Sequence, residues 1–172
     1  MSSKRLIRAG IVLAILCVSV LLRPVAASAN VNDVWIVGQG SGMCIDVPNG
    51  TTDNVTINIY TCRFPIQNNQ SWNFEDVSGG YQIRNLQTNK CLAVLNASTA
   101  QNAAVIQYTC NQTSNSLWRS VAAGSANGYD YYEIQNVHSN KCLTVKNAGT
   151  ANNTPLLQFT CNGGSNAKWT WY

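Results

Sequence analysis

The groups with the greatest chemical capacity in this chain are seven carboxylates, one histidine and seven cysteines, and their spacing decides what they can do. His138 lies in the polar turn "NVHSN" and reads as exposed and inert. No H-E-x-x-H, G-x-S-x-G or phosphate-cradling glycine loop accompanies it. Asp53, Asp76, Asp130 and Glu133 are scattered or sit near turns, and nothing designates a partner for the opposed-carboxylate chemistry of glycoside hydrolysis. Metal ligation needs closely spaced ligand pairs, which the pattern lacks. No cofactor motif is present, so no catalytic, metal or cofactor residue is expected. One carboxylate nevertheless stands apart. The word "CIDV", from Cys44, returns as "CLAV" from Cys91 and "CLTV" from Cys142, so Asp46 occupies a slot filled elsewhere by Ala93 and Thr144. Between Ile45 and Val47 in an alternating strand, Asp46 is poorly placed for a turn, although a strand-end cap remains the plainer reading.

The elements that must position Asp46 come in three copies. "WIVGQGSGMCIDV" from Trp35, "YQIRNLQTNKCLAV" from Tyr81 and "YEIQNVHSNKCLTV" from Tyr132 share an aromatic start, alternating apolar residues, a polar turn and Cys-aliphatic-x-Val. A Gly/Asn/Thr/Ala-rich stretch then leads to "INIYTC", "VIQYTC" or "LLQFTC", and a polar loop leads to Trp72, Trp118 or Trp169. The first cysteines are 47 and 51 residues apart and the tryptophans 46 and 51. Self-similarity at this period marks a repeat architecture. The apolar runs are short, rich in Ile, Val, Tyr, Phe and Trp, and bounded by turn residues, which predicts an all-β domain of about twelve short strands around one shared core.

Residues 1–29 read as a secretory signal peptide. Lys4, Arg5 and Arg8 precede the uncharged run "IVLAILCVSVLL", and Ala27-Ser28-Ala29 fits a small-residue cleavage site before Asn30. The run falls short of the roughly 20 apolar residues of a membrane span, so no membrane insertion is expected after its removal. Residues 1–29 hold four of the eleven basic residues and no acid, which leaves seven cations against seven anions in residues 30–172. A neutral domain offers no phosphate-neutralising surface, and nucleic acid is excluded as the expected partner. The six cysteines of that domain, exported to an oxidising compartment, are expected to form disulfides. The pairs Cys44–Cys62, Cys91–Cys110 and Cys142–Cys161 repeat one bridge in every copy, closing loops worth about 3 kcal/mol each in the chain-entropy account.

Three tandem units of Cys-hydrophobic-x-Val, an apolar strand ending aromatic-x-Cys, and "NQSW" at 69–72 resemble the ricin B-type lectin family over residues 32–172. The resemblance implies a β-trefoil of three repeats of about 47 residues, at roughly 32–77, 78–127 and 128–172. It also implies shallow sugar pockets. In that family an Asp after Cys-hydrophobic accepts sugar hydroxyls, an aromatic two residues before the second Cys covers the ring's C–H face, and the Asn-Gln pair adds polar contacts and props the Asp. Carried over, these are Asp46, Tyr60, Asn69 and Gln70, with Asn58 as a further contact. The second repeat offers Ala93, Tyr108, Asn115 and Ser116, and the third Thr144, Phe159, Asn166 and Ala167, so the full set occurs once. A carboxylate forms charge-assisted hydrogen bonds to hydroxyls that a methyl cannot make and a single hydroxyl makes less well. Plainer roles stay open: Tyr60 as core, and Asn69 and Gln70 as stabilisers of the loop before Trp72.

The resemblance therefore implies a secreted, non-enzymatic module whose partner is a glycan or polysaccharide, galactose-like or xylan-type, with a possible separate catalytic or toxin polypeptide. A single shallow site is expected to bind on the order of millimolar, about 4 kcal/mol. The alternative is a trefoil that has largely lost sugar binding and serves as a protein-interaction or inhibitor module. Six N-x-S/T sequons occur, at Asn49, Asn54, Asn69, Asn96, Asn111 and Asn152, and a glycan on Asn69 would block the implied pocket.

Overall fold

The computed structural model describes residues 30–48 and 52–172. The signal-peptide reading of residues 1–29 and the sequon at Asn49 lie outside the described residues. Among the described residues all regular structure beyond four single-turn 3₁₀ segments is β. The thirteen strands are β1 (Val31–Val34), β2 (Ile36–Gly38), β3 (Cys44–Asp46), β4 (Asn58–Tyr60), β5 (Trp72–Val77), β6 (Gly80–Asn85) and β7 (Cys91–Val94), followed by β8 (Val105–Tyr108), β9 (Trp118–Ala126), β10 (Tyr129–Asn136), β11 (Cys142–Val145), β12 (Thr154–Phe159) and β13 (Lys168–Trp171). The count exceeds the expected twelve because the first barrel strand is broken. Asp33 takes a left-handed backbone (φ 57°), the register shifts between Val31 and Val34, and the strand resumes beyond Trp35 as β2.

The broken strand still closes a barrel. β1 pairs with β5 on one side and β2 with β13 on the other, and the circuit runs on through β5–β6, β6–β9, β9–β10 and β10–β13, all antiparallel. Closure leaves these strands no unpaired edge. Three hairpins, β3–β4, β7–β8 and β11–β12, cap one end. They join one another in a ring: β12 pairs with β4, Thr56 bridges to Ile106, and Ala104 bridges to Leu157. This is the β-trefoil that the family resemblance implies.

The core follows the repeat letter by letter. Ile36, Ile83 and Ile134 form one layer; Ile45, Leu92 and Leu143 another; Val47, Val94 and Val145 a third; Ile57, Val105 and Leu156 a fourth. Trp72, Trp118 and Trp169 are fully buried among them, and each indole N–H donates to the main-chain carbonyl of Ile45, Leu92 or Leu143 at 2.9–3.1 Å. A buried tryptophan with its N–H paired contributes area without an orphaned donor. The three disulfides pair as the repeat requires, each with a Cα–Cα distance of 5.1 Å.

Candidate binding site

Strand alternation decides which way Asp46 faces. Ile45 and Val47 enter the core, so Cys44 and Asp46 lie on the opposite side of β3, and the Cys44–Cys62 bridge anchors that side. Asp46 is directly opposite Asn58 on β4, and Tyr60 lies opposite Cys44. The carboxylate is 3% exposed and borders an open cleft of about 310 Å³ shared with Val47, Tyr60, Arg63, Asn69 and Asn153.

Two amides hold Asp46 through the same oxygen. Asn69 Nδ2 donates to Oδ2 at 2.8 Å and Gln70 Nε2 donates to it at 3.0 Å, while no described residue donates to Oδ1. Burial pushes the Asp46 carboxyl above the usual aspartate range; the Gln70 amide, the Arg63 charge and the Asn69 amide pull it partly back. The cleft thus contains a fixed carboxylate with one oxygen that no described residue engages, beside a half-buried tyrosine ring. That arrangement can accept a hydroxyl donor and cover a patch of C–H groups.

Comparing the three copies separates Asn69 from Gln70. Asn69 Nδ2 also donates to Val47 O at 3.2 Å, as Asn115 does to Val94 O at 3.0 Å and Asn166 to Val145 O at 3.4 Å. This asparagine clamps the end of the Cys strand in every repeat, and its bond to Asp46 is an addition peculiar to the first. Because its amide nitrogen points inward onto both, the sequon at Asn69 presents no free nitrogen. Gln70 is fully buried. Its amide N–H groups go to Asp46 and to Thr61 O at 3.0 Å, and its Oε1 accepts the Arg63 N–H at 2.9 Å. Its counterparts are the equally buried Ser116 and Ala167, which do not hold a carboxylate. Gln70 positions the site from beneath and has no surface to offer a ligand. Asn58 is also nearly buried; it donates to Asn153 Oδ1 at 3.3 Å, and its own Oδ1 has no partner.

Two residues of the cleft escaped the sequence reading. Asn153 comes from the third repeat, with a left-handed backbone (φ 66°), and its N–H donates to Ile59 O at 2.9 Å. Asn54 and Asn102 do the same for Gln107 O on β8 and Gln158 O on β12, at 3.0 and 2.9 Å, with φ of 67° and 63°. Each borders the cleft of the next repeat. Asparagine tolerates this backbone better than other side-chain-bearing residues. The signal was present: in all three copies an Asn stands three residues before the apolar run, at Asn54, Asn102 and Asn153. Arg63, the residue after Cys62, is the second, with its guanidinium 4.4 Å from the centre of the Tyr60 ring.

The second and third clefts measure about 260 and 250 Å³ and keep their aromatic residues, Tyr108 and Phe159. Neither has a carboxylate. Ala93 carries no acceptor, and the Thr144 hydroxyl is turned back onto Cys142 O at 2.9 Å. A further cleft of about 330 Å³ lies where hairpins meet, bordered by Thr56, Asn102, Ala104 and Leu157 among others, without a carboxylate or an aromatic ring. His138 is exposed, 3.2 Å from Ser114 Oγ. Glu133, Cys142 and Cys161 cluster within 4.8 Å, but the disulfide occupies both sulfurs and Glu133 Oε1 accepts the Gly163 N–H. Among the described residues no helix is long and apolar enough to cross a membrane.

The chain matches the family described as ricin-type beta-trefoil lectin domain-like over residues 23–108, 68–158 and 115–171. No curated protein matches it by sequence. Among solved structures it is similar to ThreeFoil, a designed 3-fold symmetric protein, with 34% identity and a TM-score of 0.72, over 80% of this chain and 96% of that one. It is also similar to an exo-beta-1,3-galactanase from Clostridium thermocellum, with 26% identity and a TM-score of 0.73. There the match covers 81% of this chain but only 30% of the galactanase. A ricin B-like lectin of Macrolepiota procera, solved in complex with lactose, shares the fold at 18% identity and a TM-score of 0.66, over 80% of this chain and 93% of that one.

Proposed function

The chain belongs to the ricin-type β-trefoil lectin domain family, and on that footing we propose that it is an exported carbohydrate-binding domain with one competent sugar site, in its first repeat. The observation that carries this reading is Asp46, held through Oδ2 by Asn69 and Gln70 with Oδ1 uncommitted, at a cleft that also contains Tyr60. A pyranose offers vicinal hydroxyls and a C–H patch, and these are the groups that a carboxylate and an aromatic ring receive. Asp46 is the hydroxyl acceptor, Tyr60 the ring platform, and Asn69 and Asn153 are polar groups at the rim. Gln70 and Asn58 act from below. The sugar class is galactose-like or xylan-type.

The reading is of binding without catalysis. No second carboxylate borders the cleft beside Asp46, so the two-acid arrangement of glycoside hydrolysis has no candidate there. The galactanase contains a similar domain as less than a third of its length, which supports a role for such domains beside separate catalytic machinery. Three disulfides suit an oxidising, extracellular setting.

The test is isothermal titration with galactose, lactose and xylo-oligosaccharides, comparing the unaltered chain with Asp46→Ala and with Thr144→Ala in the third cleft. One binding event per chain, abolished by Asp46→Ala and untouched by Thr144→Ala, is expected. Equal affinity in the Asp46 variant would remove the first-repeat site. The second reading, a protein-binding trefoil, draws on the missing carboxylates at Ala93 and Thr144. Its mark would be no sugar binding by the unaltered chain, together with a protein partner that free sugar does not displace.

A further inference from the structure

Asp46 is not the only charge peculiar to the first cleft. The residue after the second half-cystine is Arg63 here and Asn111 and Asn162 in the other copies, so the first cleft alone pairs an anion with a cation. Both are held by one buried side chain. Gln70 donates to Asp46 through Nε2 and accepts the Arg63 main-chain N–H through Oε1. Gln70 therefore fixes the Arg63 backbone beside the carboxylate, and the Tyr60 ring is what places the guanidinium.

The Arg63 guanidinium is laid over the Tyr60 ring, and no described residue accepts a hydrogen bond from it. Two other cations of the domain are engaged: Arg84 grips Glu75 through Nε and Nη2 at 2.6 and 2.9 Å, and Lys90 is 2.7 Å from Asp53. Arg63 borders the cleft and is partly immobilised by stacking, which lowers the entropy lost when it binds a ligand. A neutral sugar exploits a guanidinium fork less well, because its hydroxyls accept without charge. A carboxylate matches it with two parallel charge-assisted bonds.

We propose that Arg63 is a specificity residue that selects sugars carrying a carboxylate, as a uronic acid or a sialic acid, on or next to the unit whose hydroxyls Asp46 takes. This rests on the sugar-binding reading and narrows its ligand class. Asp46 then excludes a carboxylate from its own position by like-charge repulsion, so the two charges impose a direction on the bound glycan: hydroxyls toward Asp46, carboxylate toward Arg63.

The experiment is titration of the whole chain with two matched pairs: xylotetraose with and without a glucuronic acid branch, and lactose with and without a terminal sialic acid. The readout is the ratio of acidic to neutral affinity within each pair. At low salt one pair should show a ratio of about ten or more, the gain of a charge-assisted bond over a neutral one. The ratio should shrink toward one in about 0.5 M NaCl, where exposed charges are screened. In Arg63→Gln it should be about one at any salt. A ratio near one for both pairs in the unaltered chain, or a ratio that survives Arg63→Gln, overturns the proposal while leaving neutral-sugar binding standing. Failure to bind any of the four sugars overturns the sugar-binding reading, and this one with it.

Discussion

Gln70 reaches across 24 residues of sequence to hold Asp46 at 3.0 Å, although Gln70 is wholly buried and Asp46 borders open solvent. On the sugar-binding proposal, acceptor and support therefore differ: Asp46 borders the cleft, and Gln70 keeps it aimed from beneath. Several outcomes separate the two roles.

Asp46→Asn keeps the shape and removes the charge. Sugar affinity should fall by roughly tenfold to a hundredfold, the difference between charge-assisted and neutral hydrogen bonds. Thermal stability should hold or rise slightly, since a buried charge is relieved. Calorimetric titration and a melting scan on one preparation read both.

Gln70→Ala takes nothing from the ligand, yet it strands the Arg63 N–H and one bond to Asp46. A loss of about 1–3 kcal/mol of stability is expected from the unsatisfied groups. Sugar affinity should weaken as well. A Gln70 variant of normal stability and normal affinity would show that the buried amide positions nothing.

Acidification should disarm the site early. The folded Asp46 carboxyl titrates above its ordinary value because of burial, so the proton returns at a higher pH than for an exposed aspartate. Binding should fall as pH drops through that raised value, with Asp46→Asn flat over the same range. The stability effect has the opposite sign. The folded state binds this proton more tightly than the unfolded state, so Asp46 lowers stability as pH rises from the ordinary value through the raised one.

Ala93→Asp alone should not create a second site. Ala93 is buried, and the neighbouring Ser116 side chain is turned to Asn111 and Thr113 O, so the new carboxylate would have the Asn115 amide nearby but nothing in place of the Gln70 amide. A destabilisation of about 2–4 kcal/mol with unchanged binding stoichiometry is expected. Denaturant melts and a titration endpoint decide it.

Removing one bridge, as in Cys91→Ser with Cys110→Ser, should cost about 3 kcal/mol for the loop it closes. Because that loop belongs to the second hairpin, the first-repeat site should keep its affinity at temperatures where the variant remains folded. Chemical denaturation followed by titration tests both parts.

Sequence alone determined the repeat, the all-β class, the disulfide partners, the tryptophan core and the singular place of Asp46. All of these are properties of one repeat unit written three times, so aligning the copies exposes them: residues the fold needs recur, and a residue the fold does not need, such as Asp46 beside Ala93 and Thr144, does not. The family resemblance pointed to Tyr60 and the Asn69-Gln70 pair, but it could not divide their labour. The Asn69 clamp on Val47 became visible only beside the equivalent clamps of Asn115 and Asn166, and the full burial of Gln70 depends on what packs over it. The split of the first barrel strand at Asp33 and Trp35 likewise follows from a local left-handed backbone that no hydrophobic period encodes. Only closure of the three repeats brings Asn153 to a cleft whose carboxylate lies 107 positions earlier in the chain, and only the turn after Cys62 sets Arg63 over Tyr60. Local periodicity is a matter of which face of a strand a residue takes, and the sequence carries it directly. The completed site is made by contacts between repeats, whose geometry exists only once the ring is closed.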